Sequence, residues 1–333
     1  MNIRRRIVVV TSGFALFTIA VMLWAPTVGS TPISLAKAFD RSIPWDANVD
    51  AQIFFVARLP RVIAGALVGA TLAAAGVVLQ ALLRNPLATP FTLGVSAGAS
   101  LGAMLAVSTS LELSVLGVTS IPLASFAGSL IATGIVYALA ASQRRGLSTN
   151  VLLLAGVTLN AFFSALILFV QYLSDFAEAL RAIRWMMGGL DVASYLPIVA
   201  ALPFIVVSMI AFAVMPRTLN LLSLGTEAAA AKGVDVIRVQ RLAFLSASLA
   251  TGAAVSLGGP IGFIGIIVPH LVRLMVGSDH RLVLPAATLF GASFLVLCDL
   301  AARTLMSPLE IPVGVVTALI GGPFFLWLLV KRS

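Results

Sequence analysis

Residues 58–102 read RLPRVIAGALVGATLAAAGVVLQALLRNPLATPFTLGVSAGASLG, and their pattern decides the fold. Arg58 and Arg61 stand one helical turn apart, at the mouth of an apolar run too long for the core helix of a soluble domain. Gly65, Gly69 and Gly76 recur along that run at helical spacing, so a neighbouring backbone can come close. The run breaks at Arg84-Asn85-Pro86 and resumes as a second apolar helix carrying Gly94, Gly98 and Gly102. Apolar, glycine-rich, charged only at its ends and broken once, the stretch reads as two membrane helices joined by a structured turn.

The whole chain follows that pattern. Of its 333 residues 60% are hydrophobic and 10% charged, and the mean hydropathy is +1.10. A soluble domain carries about 25% charged residues, so this chain lacks the polar surface to cover a water-exposed fold. A membrane span takes about 20 apolar residues, and roughly ten such runs are present. The expectation is an all-α, polytopic integral membrane protein of about ten transmembrane helices, in a single membrane domain over residues 1–333. The net charge of +9 comes from basic residues set singly between apolar runs, which suits loops facing an anionic leaflet better than nucleic acid. Cys298 is alone, so there is no disulfide framework.

In chain order, Arg4-Arg5-Arg6 and apolar residues 7–25 read as an uncleaved first span, too long for a signal sequence and lacking a small-x-small cleavage site. A polar segment, 27–52, follows outside. Further spans are expected over 58–82, 91–108, 115–141 (ending at Gln143-Arg144-Arg145), 150–172, 192–214, 237–257, 282–302 and 312–330. Pro260 and Pro269 mark a short or broken element between the seventh and ninth. The most polar inner loop is 216–241. An even count puts both termini on one side; with that side the cytoplasm, fourteen of the 21 Lys and Arg residues fall inside, as the positive-inside rule asks. Arg58, Arg61, Arg184 and Arg303 do not fit it: they lie near outer span ends, where insertion does not call for them.

Six stretches, in order and over nearly the whole chain, resemble the FecCD family of ABC-importer permeases for iron-siderophores, haem and vitamin B12. They are RLPR (58–61), LLRNPLATPFTLGVSAGA (82–99), LLLAG (152–156), WMMGG (185–189), GPIGFIGIIVPHLVR (259–273) and EIPVGVVTALIGGPFF (310–325). The resemblance implies a second permease subunit, in a homodimer, with two cytoplasmic ATPase subunits and a periplasmic or lipid-anchored substrate-binding protein. It also implies a multi-pass protein of the bacterial inner membrane, embedded in lipid and binding no nucleic acid. A phosphate-binding loop needs G-x-x-x-x-G-K-[ST]. Lys37, Lys232 and Lys331 are the only lysines and none sits in one, so the chain is not the ATPase; no enzyme activity of its own is expected, and ATP and Mg belong to the partner ATPase.

Each candidate site has two readings. Arg58 and Arg61 share a helix face, with Arg303 at the outer end of another span; on the residues alone they are a cationic platform or snorkelling side chains. The resemblance implies docking of the binding protein there. In 225–233, Thr226 can cap a short helix, Lys232 suits its last turn and Gly233 can end it. The resemblance makes Thr226, Glu227, Ala230, Lys232 and Gly233 the coupling contact with the ATPase. Asn85, Pro86 and Leu87, with Ser148, Thr149 and Asn150, are turn and cap residues that the resemblance places as gates on the translocation path. Arg181 and Arg184 could meet a substrate carboxylate or anchor in lipid. His270 and His280, distant from each other, make no metal site with one cysteine. Asp299, deep in an apolar run, has Arg303 as its i+4 neighbour and reads as a structural ion pair. The cargo expected is an iron-siderophore or haem, with a vitamin B12 permease as the alternative within the family. The rival from another class is an ion-coupled secondary transporter, which would need more buried acids than Asp299.

Overall fold

The computed structural model describes residues 3–109, 113–115, 117–141, 147–192 and 194–332. Arg144 and Arg145, expected at the end of the fourth span, lie outside the described residues. The helices are α1 (Ile3–Trp24), α2 (Leu35–Ala38), α3 (Val49–Gln52), α4 (Leu59–Leu83), α5 (Val95–Ser108), α6 (Ser120–Ala141), α7 (Thr149–Leu173) and α8 (Phe176–Met186). They continue as α9 (Leu196–Ala213), α10 (Pro216–Leu222), α11 (Thr226–Ala231), α12 (Val236–Gly258), α13 (Ile264–Val276), α14 (His280–Thr304) and α15 (Val313–Arg332). The strands are Ser114–Val115 and Val118–Thr119, a two-stranded antiparallel hairpin before α6.

Among the described residues seven helical segments are long and apolar enough to cross a membrane, and three shorter apolar helices (Val95–Ser108, Ile264–Val276, Val313–Trp327) fill the remaining expected positions. The expected span over 91–108 is therefore split: a 3-10 turn at Phe91–Leu93 ends at Gly94, and the 14-residue α5 is about 21 Å long, short of a hydrocarbon core of about 30 Å.

The segment Val49–Leu83, including α4, is the hub: its apolar stretch is largely buried, whereas that of Ile3–Thr27 is largely exposed. It packs against α12 and α14, while α1, α6, α7 and α9 form the outer ring with broad apolar faces exposed. The expected glycine contacts explain the tight centre. A Cβ on Gly69 would collide with the backbone of Gly291 on α14, and one on Gly76 with the backbone of Gly265 on α13. Without water to drive helices together, such backbone-to-backbone packing supplies the association. At its far end α4 stops where expected. Arg84 adopts a left-handed conformation (φ 49°), Asn85 N donates to Gln80 O at 3.1 Å and Arg84 N to Ala81 O at 3.4 Å, which closes the helix as a Schellman turn.

The near end differs from expectation. The helix does not begin at Arg58: it runs unbroken from Val49 through a π-helical stretch, Ile53–Arg58, into α4. Asn48 caps it by accepting the Ala51 N–H at 3.0 Å. The supposed polar loop 27–52 folds over this end, and Phe39, Phe54 and Phe55 cluster with ring centroids 4.9–5.4 Å apart. Arg58 is consequently roofed rather than placed at a helix mouth, with Arg61 one turn further along the helix.

Candidate functional site

Two polar clusters stand at opposite ends of the α4–α14 pair. At the first, Arg61 faces Asp299 and Arg303, which are i and i+4 on α14 and so share a face. Arg61 Nε donates to Asp299 Oδ1 at 2.8 Å and Nη1 to Glu310 Oε2 at 2.7 Å, with Asp191 Oδ1 3.3 Å from the same Nη1. Arg303 Nε lies 3.5 Å from Asp299 Oδ2, and its Nη2 donates to Ala25 O at 2.8 Å. Arg58 donates to Pro26 O at 3.1 Å and to Thr31 O, with the backbone at Gly29 laid on its guanidinium. Asp299, Arg58 and Arg303 are 1%, 5% and 4% exposed.

The expected arginines thus come together, but not as a free cationic rim. Arg58 and Arg303 are spent on main-chain carbonyls of the 25–31 segment, because an arginine this deep must find acceptors. Arg61 is held by three carboxylates. Three arginines against Asp191, Asp299 and Glu310 make a formally neutral network, whose accessible members are the acids Asp191 and Glu310. The expected ion pair between Asp299 and Arg303 is present as one edge of it.

Asp191 also lines an adjoining cleft of about 450 Å³, together with Arg181, Arg184, Trp185 and Ser256. Both arginines project from α8, an amphipathic helix read from sequence only as an outer segment. Asp175 and Glu178 close its start as a capping box, Asp175 accepting Glu178 N at 2.8 Å.

At the other end α11 is short and presents Glu227, Ala230 and Lys232 outward, with Ala229 buried beneath. Thr226 does not cap it. Gly225, with φ 119°, takes the cap position and Thr226 is the first helical residue, since only a residue free of a Cβ turns the chain there cheaply. Lys232 is the C-cap rather than a last-turn residue, and Gly233 (φ 81°) ends the helix, with Val234 N reaching Ala229 O at 3.1 Å. Of the expected gate residues, Asn85 spends its side chain on its own turn, accepting Leu87 N at 2.9 Å, and Leu87 is exposed. Thr149 and Asn150 open α7, after Ser148 at its N-cap.

Sequence reasoning missed two constellations at this end. Gln80, buried on α4, donates to Gly265 O at 2.8 Å and accepts from Arg273 Nη1 at 2.5 Å, tying α4 to α13. Asn220 on α10 bridges to Asp279 and His280. His280 is the buried first residue of α14. The Arg281 guanidinium chiefly, with smaller help from the Asn220 amide, holds the Asp279 carboxyl well below the usual carboxylate range against the opposing effect of burial. Among the described residues no three His, Cys, Asp or Glu side chains gather as metal ligands.

Polar clusters thus stand at both ends of the buried, closely packed α4–α14 pair. The model of the FecCD transport family matches residues 16–331. The cobalamin import system permease protein BtuC of Halobacterium salinarum is 44% identical over 301 residues, covering 90% of this chain and 79% of that one. The hemin transport system permease protein HmuU of Yersinia pestis is 37% identical over 324 residues, covering 96% and 95%. A solved structure, described as a candidate metal-chelate type ABC transporter in an inward-facing conformation, superposes with a TM-score of 0.83 at 32% identity, covering 96% of this chain and 98% of that one. This chain belongs to the FecCD transport family.

Proposed function

We propose that the chain is the membrane-spanning permease subunit of an ATP-binding-cassette importer that moves a bulky metal chelate, an iron-siderophore or haem, across the bacterial inner membrane by alternating access. The end-to-end family match carries the reading: relatives named as import permeases for cobalamin and hemin cover this chain almost completely. A corrinoid such as vitamin B12 is the second reading, favoured by the 44% identity to the cobalamin permease. Asp299, the acid on which an ion-coupled carrier would lean, is already consumed by Arg61 and Arg303.

In this reading two copies of the chain enclose the path, and the Arg61 end faces the periplasm. A loaded binding protein docks around Arg58, Arg61 and Arg303, where Arg61 is the one cation whose partners are exposed enough to exchange. Arg181 and Arg184 in the neighbouring cleft meet anionic groups of the cargo. The α11 surface, Thr226 to Gly233, rests on a separate ATPase, which supplies ATP and Mg chemistry. The chain itself holds no cofactor. Asn85, Leu87, Thr149 and Asn150 gate the cytoplasmic end.

The test is ATPase activity of the complex reconstituted with its ATPase, against binding proteins loaded with haem, a ferric siderophore or cobalamin. Stimulation by one loaded protein identifies the cargo. Uptake that follows an ion gradient, with no ATPase associating, overturns the importer reading.

A further inference from the structure

One side chain at the α11 end ties together segments about 60 residues apart in sequence. Asn220 Nδ2 donates to Asp279 Oδ1 at 2.7 Å, while its Oδ1 accepts the backbone N–H of His280 at 2.9 Å and His280 Nδ1 at 2.7 Å. An amide oxygen can only accept, so His280 Nδ1 carries the hydrogen. Asp279 is at the same time the N-cap of α14, accepting Arg281 N at 3.0 Å, and is forked by the Arg281 guanidinium. The flanking α10 residues Leu219 and Leu222 are buried apolar contacts, which hold the surfaces together without fixing their register. Asn220 supplies the register: three short hydrogen bonds to consecutive residues at a helix start are lost together if α10 slides.

The two bodies so joined reach both ends of the molecule. Ser223 N, Leu224 N and Gly225 N donate back to Leu219, Leu221 and Leu222 carbonyls at 3.0–3.1 Å, so α10 and α11 form one continuous unit. From His280, α14 runs along α4 about 28 Å to Asp299 and about 34 Å to Arg303, and Asp299 grips Arg61 there. Backbone contact at Gly69 and Gly291 leaves α14 little room to bend away from α4. Rigid, close-packed elements of this kind pass displacement on rather than absorb it.

We propose that Asn220 is a positioning residue that locks the α10–α11 unit to the start of α14, so that a shift imposed on α11 is carried along α14 to the Arg61–Asp299 pair at the opposite membrane face. The inference rests on the reading of α11 as the ATPase contact and of the Arg61 end as the binding-protein face.

The experiment uses the complete complex of permease, ATPase and binding protein in proteoliposomes. Basal ATPase rate, stimulation by the loaded binding protein and cargo moved per ATP are measured for Asn220→Leu, Asn220→Asp, Asp279→Asn and the swapped pair Asn220→Asp/Asp279→Asn. Asn220→Asp sets two carboxylates against each other. In the swapped pair a carboxylate at 220 still accepts both His280 donors, and the amide at 279 donates back to it. The expected result is a loss of stimulation and of cargo per ATP of about fivefold or more in Asn220→Leu and Asn220→Asp, with the basal rate and complex assembly held within about twofold. The swapped pair restores the coupling. Asn220→Leu or Asn220→Asp variants that are stimulated like wild type overturn the proposal, as does a swapped pair that assembles but stays uncoupled, or a loss that falls equally on basal rate and assembly. A wild-type complex that does not form with an ATPase overturns the importer reading and this inference with it, so the two failures are told apart.

Discussion

Replacing Asp299 by asparagine removes the carboxylate shared by Arg61 and Arg303 and leaves its nearly isosteric amide in a site 1% exposed. Two opposing quantities set the cost. At separations of 2.8 and 3.5 Å each arginine is attracted by about 5 kcal/mol at an effective dielectric of about 20, before desolvation is counted. Arg61 keeps Glu310 at 2.7 Å and Asp191 at 3.3 Å, so its charge stays compensated. Arg303 keeps only the Ala25 carbonyl among its described partners and becomes a buried cation without an anion. Removing one partner of a buried pair costs about 3–5 kcal/mol, and retention of the Arg61 acids puts Asp299→Asn near 3. Asp299→Leu, which also strands the Arg61 Nε–H, belongs near the top of that range. The assay is SDS-driven unfolding in mixed micelles followed by circular dichroism, run as a cycle with Arg303→Gln. A loss under about 1 kcal/mol, the value of an exposed pair, or additive single effects would refute the reasoning by showing that water reaches the pair.

The remaining expectations follow from the same geometry. Gly69→Val places a Cβ inside the contact with Gly291 and costs about 3 kcal/mol or more in the same assay, whereas Gly13→Val, with open space around it, costs under about 1. Asp279 has a depressed carboxyl, so its stabilising contribution is complete above the unfolded value near 3.9 and is lost as pH falls through the lower folded value. Stability is therefore flat with respect to this group from about pH 5 to 8 and falls only below about pH 4, and unfolding midpoints across that range check it. Arg181→Gln/Arg184→Gln lowers uptake of a carboxylate-bearing cargo such as haem several-fold and spares a cargo without carboxylates, as transport in proteoliposomes reads directly. Glu310→Gln/Asp191→Asn leaves two fewer acids on Arg61 and accelerates association of an acidic binding protein on the order of tenfold at low salt, an effect that fades as ionic strength rises. Stopped-flow association rates test it, and unchanged rates refute it.

The features legible in the sequence are those with a local cause. The break after Leu83 follows from Asn85-Pro86, and the closeness of α4 to its neighbours follows from glycine spacing. Gly233 ends α11 because its backbone tolerates the turn. Where the reading stopped short, a local signal was present but outweighed by polarity. Asn48 with Asp50 is a helix start, yet a segment this polar reads as loop, and the continuation through Phe54 and Phe55 into α4 was lost with it. Asp175 and Glu178 likewise mark the start of α8. The partners of Arg61 were not legible. Glu310 lies 249 residues further along the chain, and no periodicity links positions joined only by the packing of α4, α14 and the segment before α15. The Asn220 bridge is hidden for the same reason, its 59- and 60-residue separations being set by how α10 turns back onto α14.

The neutral network also bears on how a permease can present arginines to a partner. A guanidinium left bare beside lipid would be driven toward water and lose its position, so a cation kept in place before the partner arrives needs resident anions. Asp299 is the permanent one: buried and shared, it cannot leave without stranding Arg303. Glu310 and Asp191, 44% and 84% exposed at their side chains, are held by a pairing that solvent already weakens. In the docking proposed above, a partner's carboxylate arriving at Arg61 would exchange with acids that are cheap to release, while Asp299 keeps the guanidinium oriented. Exchange of this kind adds little net affinity and makes register the main gain, which suits a binding protein that must dock, deliver and depart in every cycle.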